Sequence, residues 1–154
     1  MPWPAFDPLD YPHTSRRTVV YAANGMTCAG NPTAASIGLQ ILLKGGNAVD
    51  AAVAMAAAMP LVEPTGNGLG SDAFVMVWKD GKLYGLNGSG PSPAAATIEG
   101  MKARGLTEVP AYGTVSSDVP GCVAAWSAVH KRFGSLSFKD VLAPAIRYAA
   151  EGFV

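Results

Sequence analysis

Hydrophobic residues recur at helical spacing soon after the start of the chain. Asn31-Pro32 supplies an N-cap and a proline that suits the first helical turn. The pattern predicts a helix from there to Lys44 that ends at Gly45-Gly46. Its buried face is predicted to consist of Ala34, Ile37, Ile41 and Leu42.

A second helix is predicted directly after these glycines. Asn47 is placed to cap it, and Asp50 in its first turn interacts favourably with the helix dipole. Six alanines follow within residues 51–58, and side chains this small allow neighbouring elements to approach closely. We therefore expect a central, buried helix, which Pro60 and Pro64 are predicted to end.

The hydrophobic pattern then changes from helical spacing to the alternation that is typical of strands. Residues 73–78 and 82–86 flank Asp80-Gly81, a dipeptide that strongly favours a two-residue hairpin turn. Residues 18–23 are β-branched and aromatic and predict a further strand. The run 87–93 is rich in glycine and proline, so we expect it to be irregular.

The last third of the chain predicts three more helices. A short one is capped by Thr97 and ends at Gly105, and a long one spans 121–133. A capping box beginning at Ser137 starts the last helix, which continues to Ala150. The residues expected to face inward from the long helix are Val123, Trp126, Val129 and Phe133.

These elements predict an α+β fold in which helices pack on a sheet that contains a hairpin. Residues 1–17 are predicted to be an irregular N-terminal arm, and residues 18–154 are predicted to be an incomplete portion of one domain. Charged residues make up only 14% of the chain, which suggests that part of its surface is buried against something else. The formal net charge of +0 excludes an electrostatic footprint for nucleic acid or for an anionic membrane.

The N-terminal arm lacks the apolar core of a signal peptide. Arg16-Arg17 resembles the start of a twin-arginine export signal, but the apolar run after it is interrupted by Asn24-Gly25. The most apolar run, 48–62, is too short to cross a membrane. We therefore expect a soluble, cytoplasmic protein.

Common catalytic and binding motifs are not matched. The glycine-rich loop 66–70 follows a helix and opens a strand, which is the reverse of a nucleotide-binding loop. No serine lies in a nucleophile elbow, and His130 is predicted to face solvent. Neither a metal nor a cofactor is expected. Cys28 and Cys122 are predicted to be buried, reduced thiols.

Two stretches nevertheless carry a specific resemblance. Residues 31–54 contain the string Gly-Gly-Asn-Ala-Val-Asp-Ala-Ala-Val-Ala, followed at the right distance by Val62-Glu63-Pro64 and a glycine-rich loop. Residues 118–124 read Asp-Val-Pro-Gly-Cys-Val-Ala and continue into Phe133-Gly134 and 141–153. Both resemble the γ-glutamyltranspeptidase family, from about Gly25 onward.

The resemblance implies part of the αββα sandwich of N-terminal-nucleophile hydrolases. Members of the family are made as one precursor that cleaves itself into a large and a small chain. The small chain begins with a threonine whose hydroxyl attacks an amide carbonyl, with its own α-amine as the base. The matching threonine is expected beyond Val154. The 154 residues would therefore be inactive alone and would need the small chain as partner.

One departure from the family concerns substrate binding. Transpeptidases carry an arginine after the second hairpin strand that binds the α-carboxylate of the γ-glutamyl donor. In the matching run, Asn87, Gly88 and Ser89 are the candidate substrate-binding residues, and Ser89 stands in the arginine position. Serine cannot replace the charged, bidentate contact. The stretch 70–73 also departs, because transpeptidases usually have four glycines there.

The main hypothesis is a γ-glutamyltransferase-like or γ-glutamyl hydrolase-like enzyme portion acting on glutathione-type amides. One alternative is an acylase for a non-glutamyl amide, as in the related cephalosporin acylases. The other is a non-enzymatic assembly module. The substrate, the acceptor and whether the protein is a homo-oligomer are left open.

Overall fold

The computed structural model describes residues 19–153. They form five α-helices and one two-stranded antiparallel sheet, in an α+β arrangement. The helices are α1 (Pro32–Leu43), α2 (Ala48–Val62), α3 (Ile98–Ala103), α4 (Cys122–Phe133) and α5 (Phe138–Glu151), and the strands are β1 (Phe74–Lys79) and β2 (Lys82–Asn87).

The first two helices form as predicted. The side chain of Asn31 caps α1 by accepting a hydrogen bond from the backbone N–H of Thr33. Asn47 and Asp50 form a complete capping box at the start of α2. Of the predicted inward face of α1, Ala34, Ile37 and Ile41 are fully buried, and Leu42 packs against the core while partly exposed.

The prediction that Pro60 ends α2 is wrong, because the helix continues through it to Val62. Proline removes one backbone donor from a helix, but the loss is tolerable so close to the last turn. The backbone N–H of Glu63 still bonds to the carbonyl oxygen of Met59, so the helix closes regularly one residue before Pro64.

The hairpin forms around Asp80-Gly81 as predicted, and both turn residues have positive φ, 53° and 74°. Its two faces differ sharply. Val75, Val77 and Leu86 pack against the helical core. The opposite face is apolar but exposed, and it consists of Phe74, Met76, Trp78 and Leu83.

Helices α4 and α5 complete this core, whereas α3 contributes no buried residue. Trp126 and Val129 of α4 are buried as predicted, and Phe133 is half-buried. Val123 is 42% exposed, so its inward placement is wrong. It instead lines an apolar groove between α2, α4 and α5.

Three other sequence predictions differ from the structure. Residues 19–23 form no strand, because no described segment pairs with them. Cys122 is buried but Cys28 is exposed, and both are free thiols. The short helix capped by Thr97 ends at Ala103, two residues before Gly105.

The predicted N-terminal arm, 1–17, lies outside the described residues. The cytoplasmic location inferred from it stays a prediction. Between residues 19 and 153, no helix has the length and apolar character needed to cross a bilayer.

Candidate active-site cleft

Three loop segments that are distant in sequence meet at the open end of the hairpin. The backbones of Ala73 and Gly88 exchange two hydrogen bonds, of 3.2 and 2.8 Å. The N–H of Val119 donates to the carbonyl oxygen of Pro91 at 3.0 Å. The N–H of Cys122 donates to the carbonyl oxygen of Ser71, also at 3.0 Å. The loop before β1, the segment after β2 and the entry to α4 are thereby tied together.

A cleft of about 270 Å³ opens between these three segments. Its lining is polar and contains two carboxylates, those of Asp72 and Asp118. Its other members are glycine, proline and serine, and none of them carries a positive charge. The lining residues are Gly70, Ser71, Asp72, Ser89, Ser117, Asp118 and Pro120.

The three candidate substrate-binding residues have different positions relative to this cleft. Ser89 lines it directly. Asn87 lies behind Ser89, and its side-chain oxygen accepts hydrogen bonds from the Ser89 N–H at 2.9 Å and from the Ser89 hydroxyl at 2.6 Å. Gly88 extends the hairpin pairing and packs towards α4. Of the three candidates, Ser89 is thus the one that lines the cleft, and Asn87 fixes the orientation of its hydroxyl.

The wall behind Ser89 depends on close backbone contact. A Cβ atom added to Gly121 would lie 2.2 Å from the carbonyl oxygen of Gly88 and 2.5 Å from the nitrogen of Gly90. Gly90 itself has a φ of 85°, in the left-handed region, and a Cβ there would lie 1.8 Å from the Val119 carbonyl oxygen. Both positions therefore leave no room for a side chain.

A second polar cluster lies at the other end of α2, in the interior. Asp50 is fully buried. One of its carboxylate oxygens accepts hydrogen bonds from the Asn47 N–H at 2.9 Å and from the Ser135 hydroxyl at 2.6 Å. The backbone N–H groups of Ser135 and Leu136 also donate to the carboxylate. The side chain of Asn47 donates to the carbonyl oxygen of Phe133 at 2.7 Å.

His130 belongs to this cluster, so the prediction that it faces solvent is wrong. Its Nε2 lies 3.3 Å from a carboxylate oxygen of Asp50 and 3.1 Å from the Leu136 carbonyl oxygen. Both neighbours are acceptors, which requires a hydrogen on Nε2. The ring also packs on Phe138, with 5.0 Å between centroids.

The hydrogen bonds determine the ionisation of Asp50. Burial by itself would raise the pKa of the carboxyl group. The hydrogen bonds from the Ser135 side chain and from the backbone N–H groups of Asn47, Ser135 and Leu136 outweigh that effect and hold the pKa of Asp50 below its ordinary value. The buried, ionised carboxylate of Asp50 therefore connects α2 to the loop that joins α4 to α5.

Sequence patterns identified the cleft at Ser89 only in part, and they missed the buried cluster around Asp50. The carboxylates of Asp72 and Asp118 were not assigned to the site, because their meeting with Ser89 depends on backbone pairing between distant loops. The one available signal was the presence of Ser71 and Asp72 in a stretch where glycines were expected. In the described part of the chain, no three His, Cys, Asp or Glu side chains come together as a metal site would need.

Solved structures define the class of protein. The chain superimposes on a cephalosporin acylase from Bacillus halodurans with a TM-score of 0.85 and 54% identity, over 96% of this chain and 28% of that one. A Helicobacter pylori γ-glutamyltranspeptidase gives a TM-score of 0.76 and 29% identity, over 86% of this chain and 39% of that one. The fold is accordingly part of an N-terminal-nucleophile hydrolase.

The family follows from the sequence comparisons. The model of the γ-glutamyltranspeptidase family matches residues 34–154, and the chain belongs to that family. A glutathione hydrolase-like proenzyme of Bacillus subtilis is 45% identical over 125 residues, which are 78% of this chain and 23% of that protein. A glutathione hydrolase proenzyme of Pseudomonas aeruginosa is 36% identical over 132 residues, 84% of this chain and 24% of that protein. The chain thus spans about a quarter of the length of these relatives.

Proposed function

We propose that this chain is the acyl-binding portion of an amide-cleaving enzyme of the γ-glutamyltransferase or γ-glutamyl hydrolase type. The observation that carries the proposal is the cleft at Ser89, formed by three loops that the backbone holds together in a chain of this family. Relatives of this chain include proteins named glutathione hydrolase proenzyme, which favours a small-molecule amide as the substrate.

The nucleophile is proposed to be a threonine of the same precursor, beyond Val154 and outside this chain. Its hydroxyl would attack the amide carbonyl while its free α-amine takes the proton. An acyl-enzyme would form, the amine product would leave, and water or an acceptor amine would release the acyl group. The chain would then have the small chain of the same precursor as its partner.

The exposed face of the hairpin favours such a partner. Phe74, Met76 and Trp78 are each at least 70% exposed, although β1 is a regular strand. A contiguous apolar sheet face of this kind normally packs against another layer. We propose that a second sheet of the complete enzyme covers it, as the sandwich fold requires.

Autocleavage of the complete precursor tests this proposal. Intact-mass spectrometry is expected to show two chains, the smaller one beginning with threonine. Replacing that threonine by alanine should leave a single uncut chain without amidase activity. A wild-type precursor that stays uncut, with the threonine present, would refute the assignment of an N-terminal nucleophile.

An acylase for a non-glutamyl amide is the second candidate, and two observations favour it. The cephalosporin acylase from Bacillus halodurans shares 54% of its aligned residues with this chain. Ser89 also occupies the position at which transpeptidases bind a carboxylate with arginine. Comparing γ-glutamyl anilides with anilides of simple acyl groups separates the two candidates, since the processed enzyme would prefer the second set if it is an acylase.

A non-enzymatic assembly module is the third hypothesis, and the exposed apolar face of the hairpin weighs against it. A module that functions alone should show a sharp, cooperative thermal transition as a dilute monomer of 154 residues. Aggregation of the isolated chain, together with a soluble processed precursor, is the result expected here.

A further inference from the structure

The cleft at Ser89 carries negative charge where the family resemblance predicts a cation. Asp72 and Asp118 contribute its only charged side chains among the described residues. Neither carboxylate lies within ion-pair distance of a lysine, arginine or histidine in residues 19–153. Among residues 19–153, a ligand entering the cleft therefore meets two carboxylates that have no cationic partner, in the same lining as Ser89.

Backbone hydrogen bonds fix the segments that carry the two aspartates. Asp72 lies between Ser71, whose carbonyl oxygen accepts from Cys122, and Ala73, which pairs with Gly88. The Ser71 hydroxyl also donates to the carbonyl oxygen of Gly68 at 2.6 Å. Asp118 directly precedes Val119, whose N–H is bonded to the segment that carries Ser89. Asp72, Asp118 and Ser89 therefore lie on segments that the same set of backbone hydrogen bonds connects.

We propose that Asp72 and Asp118 determine substrate charge, by repelling an acyl group that ends in a carboxylate and favouring one that is neutral or cationic. The inference rests on the proposed function, since it assigns these residues to the acyl end of the amide. Discrimination of this kind arises from repulsion of the disfavoured ligand as much as from attraction of the favoured one. Neither aspartate is assigned a role in breaking the amide bond itself.

The expected size of the effect follows from the exposure of the cleft. Both aspartates are solvent-exposed, so water and salt screen their charges. At separations near 4–6 Å, two such carboxylates should disfavour an anionic acyl group by about 10- to 30-fold at low ionic strength. The effect should shrink several-fold at about 0.5 M salt, where the screening length falls to a few ångströms.

Four anilides of matched length test the inference on the complete, autoprocessed enzyme. The γ-glutamyl group carries an amine and a carboxylate, glutaryl only the carboxylate, 4-aminobutanoyl only the amine, and butanoyl neither. We expect kcat/KM to be higher for 4-aminobutanoyl and butanoyl than for glutaryl, by the factor given above. A preference for glutaryl over butanoyl would overturn the inference.

Variants assign the discrimination to the two aspartates. Asp72→Asn combined with Asp118→Asn should bring the butanoyl-to-glutaryl ratio of kcat/KM close to one and remove its salt dependence. Asp140→Asn is the matched control, because Asp140 is an exposed aspartate at the start of α5 and not in the cleft, and it should leave the ratio unchanged. An unchanged ratio in the double variant would overturn the inference.

Two further outcomes keep the inference separate from the proposed function. If the double variant is insoluble, the salt titration of the wild-type enzyme decides, and a ratio independent of salt would overturn the inference. Hydrolysis of none of the four anilides by a correctly processed enzyme would instead overturn the proposed function, and the inference with it.

Discussion

The two polar clusters of this chain contain aspartates in opposite environments. Asp50 is fully buried, and four groups from two loops donate hydrogen bonds to its carboxylate. Asp72 and Asp118 are exposed and line an open cleft, where neither has a cationic partner in the part of the chain that the structure describes. A buried charge persists only when it is fully bonded, whereas an exposed one stays available to a ligand. We therefore expect substitutions at Asp50 to change stability and substitutions in the cleft to change specificity.

The largest expected effect is at Asp50. Asp50→Asn keeps the size of the side chain but turns an amide group towards several donors, so it should destabilise the protein by roughly 3–5 kcal/mol. The corresponding aspartate of α5, Asp140, also occupies the third position of its helix, but it is exposed. Asp140→Asn should therefore cost about 1 kcal/mol or less. Chemical denaturation of the two variants measures the difference, and equal losses would remove the contrast between the clusters.

The next largest effect is expected at the wall of the cleft. Gly121→Ala places a methyl group 2.2 Å from the Gly88 carbonyl oxygen, so the wall must shift at a cost of about 1–3 kcal/mol. Gly66→Ala is the control, because a Cβ there meets no atom within 4 Å. The shifted wall should also lower kcat/KM, as anilide hydrolysis by the processed enzyme would measure. A Gly121→Ala variant with wild-type stability and activity would show that the wall is not rigid.

A smaller effect, on the pH dependence of stability, distinguishes the two clusters. The pKa of Asp50 is lowered by folding, so the stability it contributes is fully present above its unfolded-state pKa of about 3.9. That contribution is lost as pH falls below this value and through the lower folded-state pKa. The free energy of unfolding of the wild-type protein should therefore fall more steeply between about pH 4 and pH 3 than that of Asp50→Asn. If the free energy of unfolding changes with pH in the same way in the wild type and in Asp50→Asn, Asp50 is not ionised.

The smallest effect is a gain of function in the cleft. Ser89→Arg should increase activity towards γ-glutamyl anilides, because arginine can bind the α-carboxylate. The neighbouring aspartates compete for that arginine, so the gain should be larger when Asp72→Gly is added. A comparison of kcat/KM for the single and double variants tests this. No gain in either would mean that another group holds the carboxylate.

Local sequence signals predicted the elements of the fold well. The caps at Asn31, Asn47 and Ser137 start α1, α2 and α5 as expected, and Asp80-Gly81 forms the hairpin turn. Predictions that depended on a distant partner were less successful. Residues 19–23 have strand-like composition but no described partner strand, and α2 continues through Pro60 to Val62.

The candidate site shows the same difference between local signals and contacts with distant residues. Ser89, Asn87 and Gly88 were identified by their position in a family pattern, and Ser89 does line a cleft. Their role in binding a substrate stays a prediction. Asp72 and Asp118 lie 46 residues apart, and no periodicity indicates that they share a wall.

Gly134 illustrates why a correct local prediction can still miss the physical role of a residue. The sequence predicts that the long helix ends at residue 133, and α4 does end there, with Gly134 as its C-cap. Its φ of −68°, however, is open to any residue. A Cβ at this position would lie 2.8 Å from a carboxylate oxygen of Asp50 and 2.6 Å from the His130 ring, so glycine provides space for the buried cluster.

The family, the helix caps, the hairpin turn and the serine in place of the expected arginine could all be predicted from the sequence alone. The caps and the turn depend on residues within a few positions of each other, where backbone preference and capping dominate. The three-dimensional fold was needed to show that Asp50 and His130 share one buried cluster and that Asp72, Asp118 and Ser89 line one cleft. Those arrangements depend on hydrogen bonds between loops that are distant in sequence, whose partners no local preference specifies.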